Sequence, residues 1–277
     1  TMPELPEVET VKRGLSPFLA GRKIVCVKKT RPDLRWPIPA SLEQVLTGAR
    51  ILKLERRGKY ILWHTQDGMV MILHLGMSGR VLITKDLPKV KDAHDHLIFK
   101  TEDGFFIRYN DPRRFGFVDI VPLKNLAEYP SLAALGPEPL SNAFNASALR
   151  QKINKKQSSI KSVLLDQTTI AGLGNIYVCE ALHRSGISPR RKAKNISENK
   201  IDRLVVAIRV VLQDAINAGG STLKDHLQTS GEMGYFQHQF RVYSREGEEC
   251  MKKSCSGMIK RIIQSGRSTF FCGKCQR

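Results

Sequence analysis

The sequence predicts a multidomain α+β protein: an N-terminal helix plus β-sandwich, then a helical region, then a C-terminal metal-binding hairpin. Three observations predict it. Residues 23–121 carry short apolar runs separated by glycine-bearing turns, the pattern of paired strands. From residue 147 the apolar period lengthens to that of amphipathic helices. The last 28 residues then gather four of the six cysteines in two close pairs, which in an intracellular chain argues for metal over disulfides.

Composition bounds the function. With 277 residues and 41% apolar side chains the chain can bury real cores, which excludes a disordered protein. No run approaches the roughly 18 consecutive apolar residues of a membrane span, and the acidic start is wrong for a secretory signal. A soluble, cytoplasmic protein is expected. Lys plus Arg number 45 against 26 acids, a formal charge of +19, so a polyanionic partner is expected. Nucleic acid ranks above a membrane surface because no basic amphipathic helix carries a Trp or Phe face. A merely soluble basic surface is the alternative.

The chain opens on Pro3-Glu4-Leu5-Pro6-Glu7-Val8-Glu9-Thr10. Pro6 suits a first helical turn, Glu7 and Glu9 suit its positive end, and Val8, Val11 and Leu15 share one face. Pro3 and Glu4 precede this helix, and a reactive amine beside an acid is the second reading of the same residues. Gly21 breaks the pattern and residues 23–27 read as a strand, with Cys26 expected as a buried thiol. Apolar runs at 51–54 and 60–63 flank Arg56-Arg57-Gly58-Lys59, a hairpin whose tip carries three cations. That tip is either a solvated turn or, through Lys59, a rigid phosphate contact.

Residues 69–75 form another strand and run into Gly76-Met77-Ser78-Gly79, a turn that directs Met77 outward. Residues 96–101 and 105–109 pair through Glu102-Asp103-Gly104. The loop Asn110-Asp111-Pro112-Arg113-Arg114-Phe115-Gly116 then puts two arginines beside an aromatic, and residues 117–121 resume as strand. One helix and about six strands in two packed sheets are expected.

Pro130, Gly136, Pro137 and Pro139 mark a connection of linker composition. Residues 147–153, 159–165, 173–184 and 198–218 read as helices, the last closed by Gly219 and Gly220. Between the second and third, the run from Asp166 to Asn175 gathers glycines and an asparagine at a helix start, as an anion site or an ordinary connection. Residues 220–238 read as a loop. The spacing Cys250-x4-Cys255-x16-Cys272-x2-Cys275 matches a tetrahedral four-thiolate zinc site. From Cys250 through Arg277 there are seven Lys or Arg and no Asp or Glu, so the metal would fold a purely basic hairpin. Four ligands leave no open position, so one structural Zn2+ is expected, contributing apparent folding energy of ~10 kcal/mol.

Seven motifs now stand in order: Pro3-Glu4-Leu5-Pro6-Glu7, Arg57-Gly58-Lys59-Tyr60, His74-Leu75-Gly76-Met77-Ser78-Gly79, Asp111-Pro112-Arg113-Arg114-Phe115-Gly116, the run from Asp166 to Tyr177, Gly219-Gly220-Ser221-Thr222-Leu223, and the cysteine finger with Gly266-Arg267. Together they resemble the formamidopyrimidine-DNA glycosylase family, bacterial enzymes that remove oxidised purines from DNA. The resemblance implies a β-sandwich domain with an N-terminal helix (1–129), a linker (130–143), a helix-two-turn-helix domain with a lesion-capping loop (144–240) and a zinc finger (241–277), with DNA in the cleft between. It also implies a bifunctional glycosylase and abasic-site lyase, a monomer, whose partner is damaged double-stranded DNA.

The implied roles answer physical needs. A base inside a duplex must be flipped out before its sugar C1′ can be attacked, at a cost of about a few kcal/mol. By resemblance Met77, Arg113 and Phe115 fill the hole, the apolar pair stacking and the arginine meeting the orphaned partner base, expected to be cytosine. Pro3 resembles the nucleophile, an amine whose pKa near ~7.7–8.0 leaves a useful unprotonated fraction at neutral pH. Its adduct with C1′ is an iminium, cationic without a proton, which draws electrons for β,δ-elimination; Glu4 is the implied acid and base. Lys59 is placed in the catalytic set, and Lys59, His74, Lys161, Asn175 and Arg267 among the contacts to the DNA backbone. Ser221, Thr222, Lys224 and Tyr235 fall in the implied lid.

Two departures from the family pattern stand out. The first cysteine pair is spaced x4 where the family usually has x2, which lengthens that knuckle without removing a ligand. With Thr1 and Met2 attached, the Pro3 nitrogen is a tertiary amide with no lone pair to offer, so activity is expected only where Pro3 is the first residue. Two rival readings remain. An endonuclease VIII-like enzyme would prefer oxidised pyrimidines, although its start typically has Gly where this chain has Leu5. A non-catalytic zinc-finger DNA-binding protein would account for the charge and the finger and leave Pro3-Glu4 unexplained.

Overall fold

The computed structural model describes residues 2–221, 229 and 234–277. Two compact units emerge, one of Thr1–Ala133 with Ala218–Tyr235, the other of Ala134–Asn217 with Phe236–Arg277.

In the first unit, α1 (Leu5–Leu19) buries Leu5, Val8, Val11, Leu15 and Leu19, a stripe at helical spacing, and carries Pro6 in its first turn. Strands β1 (Ile24–Lys29), β2 (Ile51–Arg57), β3 (Tyr60–Thr65), β4 (Met69–His74), β5 (Arg80–Thr84), β6 (Asp95–Thr101), β7 (Phe106–Asn110) and β8 (Phe117–Pro122) build two four-stranded sheets. Their orders are β1-β6-β7-β5 and β2-β3-β4-β8, antiparallel throughout. One continuous core joins Val11 and Leu15 of α1 to Trp63, Met71, Leu73, Leu97, Phe99, Ile107 and Tyr109. The short helices α2 (Leu42–Leu46) and α3 (Pro130–Ala133) complete the unit, with a 3₁₀ turn at Leu123–Glu128.

The expected strands are present, with three additions: β5, α2 and α3, the last within the expected linker. β5 is not legible in the sequence because Val81 is its only fully buried residue, so no alternation marks it. α2 has five residues, too few for a helical period to register. Cys26 corrects another expectation: it is exposed. A bulge between Ile24 and Cys26 shifts the strand's phase, so that Val27 turns inward in its place.

The second unit contains α4 (Ala146–Ile153), α5 (Ile160–Leu165), α6 (Asn175–Ser185), α7 (Glu198–Asn217) and the hairpin β9 (Ile259–Gln264) and β10 (Arg267–Cys272). The side chain of Asn145 accepts from Ala148 N–H at 2.9 Å, starting α4. Gly186 ends α6 in the left-handed conformation at φ 70°. α7 buries Ile201, Leu204, Ile208, Val211, Leu212 and Ala215 and packs against α4 and α6. The β9–β10 turn has Ser265 and Gly266 at φ 48° and 71°, two positive angles that suit a tight two-residue hairpin. Among the described residues no helix is long and apolar enough to cross a membrane.

Candidate active site and metal centre

Pro3 and Glu4 are buried at the start of α1. Glu4 N–H donates to Glu7 Oε2 at 2.9 Å, and Glu7 Oε1 accepts from Ser221 N–H at 2.8 Å. One carboxylate thus ties the start of the helix to a residue 214 positions away. Gly220, at φ 80°, passes so close that an added Cβ would stand 3.2 Å from Glu7 Oε1 and 3.4 Å from Glu7 Cα.

A turn further on, Glu9 accepts from Arg56 at 2.9 Å and Arg13 at 2.8 Å, with Lys12 at 3.0 Å. Burial opposes its ionisation, but these cations outweigh it and hold the carboxyl below its usual range. Arg56 also donates to Gly58 O at 2.9 Å, shaping the tip before Lys59. Lys59 is 6% exposed, which rules out the solvated turn as its reading.

His74, at the end of β4, stacks against Phe117 with ring centroids 5.3 Å apart and planes at 10°. Burial, then the charges of Lys59 and Arg35, push its pKa down to about 4. Gly76 N–H donates to His74 Nδ1 at 3.1 Å. The imidazole is therefore neutral at physiological pH with its proton on Nε2, a donor suited to a phosphate oxygen.

The turn after His74 and the turn after Asn110 are packed against each other. A Cβ on Gly76 would lie 2.3 Å from both Gly116 N and the carbonyl carbon of Phe115, so only glycine permits the approach. Asp111, wholly buried, organises both turns. Its Oδ1 accepts from Ser78 at 2.5 Å, and its Oδ2 accepts from Gly116 N–H at 2.9 Å and Tyr109 hydroxyl at 3.1 Å. Ser78 Oγ in turn accepts from Arg113 N–H at 3.1 Å. Burial and the Asp111 charge raise the Tyr109 pKa well above the usual phenol, keeping it a donor. This bracing places Met77, half-buried, on the neighbouring turn to Arg113 and Phe115. The Arg113 guanidinium lies 5.0 Å from the Phe115 ring centre, and Phe115 is 43% exposed.

Of the residues expected in a lid, Ser221 is buried on Glu7 and Tyr235 is exposed, its N–H donating to Ala218 O at 3.1 Å. Thr222 and Lys224 lie outside the described residues.

In the second unit, Asn175 begins α6 and donates through Nδ2 to Ser268 O at 2.9 Å, while its buried Oδ1 has no hydrogen-bond partner. Arg267, at the foot of the hairpin turn, is exposed one residue away from that carbonyl. Lys161, expected among the DNA contacts, is buried. It is 1% exposed, and its ammonium donates to Thr269 Oγ1 at 2.6 Å and Ser268 O at 3.2 Å. Its position is that of a brace under β10 rather than a surface cation. In the preceding loop, read as an anion site or an ordinary connection, Gly172 N–H donates to Gln167 Oε1 at 2.9 Å and Gln167 Nε2 to Leu173 O at 2.8 Å, bonds internal to the connection.

The four cysteines converge. All four sulfurs lie within 4.8 Å of one another, with Cys250–Cys275 at 3.8 Å and Cys255–Cys272 at 3.6 Å. A tetrahedron with Zn–S bonds of about 2.3 Å has S···S edges of about 3.8 Å. A disulfide would need about 2.05 Å. The donor set fits one zinc and no open coordination position. Burial raises the Cys272 thiol, but the N–H groups of Cys275 and Lys274 outweigh it and bring the pKa down to about 7, easing thiolate formation.

Sequence reasoning misses the bracing carboxylates. In the sequence Glu7 reads only as a charge near a helix end, and Asp111 only as a loop residue. Glu180 of α6 does not stand out at all: wholly buried, its carboxylate accepts from Arg241, Val242 and Tyr243 N–H at 2.9–3.1 Å. The one usable signal is a carboxylate inside an apolar helical stripe.

Comparison with known proteins matches this arrangement along the whole chain. The family model for the formamidopyrimidine-DNA glycosylase N-terminal domain matches residues 2–118, that for its H2TH domain residues 135–226, and a zinc finger found in FPG and IleRS residues 247–277. A formamidopyrimidine-DNA glycosylase of Paracoccus denitrificans is 54% identical over 100% of both chains, and one from Caulobacter vibrioides is 51% identical over 99% of this chain and 100% of its own. Among solved structures, Lactococcus lactis Fpg in complex with abasic-site DNA superposes with a TM-score of 0.90 at 36% identity, covering 99% of each chain. MutM (Fpg) from Thermus thermophilus superposes at 0.87 and 37% identity, covering 99% and 98%. The chain belongs to the formamidopyrimidine-DNA glycosylase family, as a zinc-finger DNA glycosylase and abasic-site lyase of base excision repair.

Proposed function

We propose that the chain excises oxidised purines, 8-oxoguanine opposite cytosine and formamidopyrimidines, from duplex DNA and then cuts the strand on both sides of the lesion. The supporting observation is the buried Pro3-Glu4 start, whose helix is held by Glu7 on Ser221. In this reading the Pro3 nitrogen attacks C1′ as the bond to the base breaks, and the base leaves with a proton. Glu4 protonates the ring oxygen as the sugar opens, and the amine loses its proton to form the iminium. Removal of a C2′ proton then expels the 3′ phosphate, and a second elimination expels the 5′ phosphate. Lys59, His74, Asn175 and Arg267 hold backbone phosphates, Lys161 belongs to the same DNA-binding set, Met77, Arg113 and Phe115 occupy the vacated stack, and Ser221, Thr222, Lys224 and Tyr235 belong to the lid over the flipped base. Zinc supplies folding energy to the hairpin and no step of the reaction. The domain division 1–129, 130–143, 144–240 and 241–277 and a monomeric state belong to the same proposal.

The chemistry requires a free Pro3 nitrogen. Borohydride trapping on an abasic duplex should yield a covalent adduct once Thr1 and Met2 are removed and none while they remain. An adduct from the longer chain would overturn the role of Pro3. Nicking of 8-oxoguanine opposite cytosine should exceed nicking of thymine glycol; the reverse order would assign the oxidised-pyrimidine specificity instead.

A further inference from the structure

α6 carries Glu180 and His183 one turn apart, the first directed at the segment before the metal centre and the second at the centre itself. Glu180 holds the backbone of residues 241–243. His183, 3% exposed, places Nε2 at 3.2 Å from Cys250 Sγ. Its Nδ1 is buried with no hydrogen-bond partner. A metal-bound thiolate has no proton, so this contact is a hydrogen bond only if the imidazole donates. A proton on Nδ1 would be a buried donor with nothing to meet, which leaves Nε2 as the site of the single proton.

We infer that His183 is an outer-sphere ligand of the zinc site, its Nε2–H donating to the Cys250 thiolate and fixing the first cysteine knuckle to α6. Cys250 and Cys255 are separated by four residues, a longer loop than the two residues between Cys272 and Cys275. Cys255 receives an N–H from within its own knuckle, from Gly257 at 3.3 Å. Cys250 accepts from the Lys252 N–H of its own loop and, in addition, meets a side chain from a helix 67 positions away, which orients its sulfur from outside the loop. A donor on a metal thiolate draws charge from the sulfur and restricts its departure, and loss of such a partner typically weakens metal binding 10–100-fold. His183 is thus a positioning residue for the metal, with no part in the excision chemistry.

The test uses the full zinc-loaded chain. Zinc transfer to excess 4-(2-pyridylazo)resorcinol should accelerate about 10–100-fold in His183→Phe, which fills the space without a donor. His183→Gln, whose amide can place an N–H near the Nε2 position, should recover part of the difference. Release from His183→Phe within twofold of the parent would overturn the inference. Should His183→Phe fail to fold, the parent decides: ¹⁵N spectra of labelled histidine with ¹¹³Cd in place of zinc should show the Nε2–H tautomer for His183 and a coupling from that proton to the metal. An Nδ1–H tautomer would overturn it equally.

Discussion

The paired turns of the first unit and the C-terminal hairpin of the second both hold polar side chains at a fixed place on a turn, and they use different anchors. The first unit has two four-stranded sheets around a shared core, so its turns can be pinned from within by one buried carboxylate, Asp111. The hairpin has two strands, and β9 buries only Ile259 fully. A two-stranded ribbon is marginal at best by itself. It is anchored by four sulfurs around a metal, with Lys161 bracing β10. Where a core exists, hydrogen bonds to one charge suffice to set a turn. Where it is small, as under the hairpin, where β10 buries Thr269, Phe270, Phe271 and Cys272 and β9 only Ile259, a metal adds to it.

Removing the metal should separate the two regions most sharply. Chelation of zinc, or Cys272→Ser, should cost the hairpin apparent stability on the order of ~10 kcal/mol. Hydrogen exchange should then show loss of protection in β9 and β10, while fluorescence of Trp63, buried in the sandwich core, stays unchanged. A shift in Trp63 emission on chelation would break the distinction.

The converse experiment acts on Asp111. Asp111→Ala strands the Ser78 and Tyr109 hydroxyls and the Gly116 N–H, and should lower stability in urea by about 3 kcal/mol, with zinc release unchanged. Asp111→Asn should lose less.

Acid should weaken the first unit through His74. Its pKa falls from 6.5 unfolded to about 4 folded, so the unfolded chain takes up the proton first as pH drops. The stabilisation is complete above pH ~6.5 and is lost as pH falls toward ~4, about 2 kcal/mol of it by pH 5. In urea titrations His74→Gln should flatten this part of the pH dependence; an unchanged slope would assign it to other groups.

Much of the fold was legible because its elements are long or regularly punctuated. α7 repeats its apolar stripe over 20 residues, and the strand pairs are separated by glycine turns. Short or bulged elements escaped, as β5, α2 and Cys26 show. In the site, the motif residues were legible because proline, glycine and paired cysteines have few other uses at such spacings. What holds them was not. Ser78–Asp111 spans 33 positions, His183–Cys250 spans 67 and Glu7–Ser221 spans 214. A hydrogen bond of that reach leaves no periodicity in the chain. The burial of Lys161 was likewise not legible, because its partners Ser268 and Thr269 lie 107 and 108 positions away.

The outward turn of Cys26 has a practical consequence. Cys179 is buried and the remaining four thiols form the metal centre, which leaves Cys26 as the one exposed cysteine. A thiol-reactive dye should therefore modify one position in the metal-loaded chain and five after chelation. The ratio converts the state of the hairpin into a stoichiometry, and the single reactive sulfur supplies a site for a fluorophore with no change to the sequence.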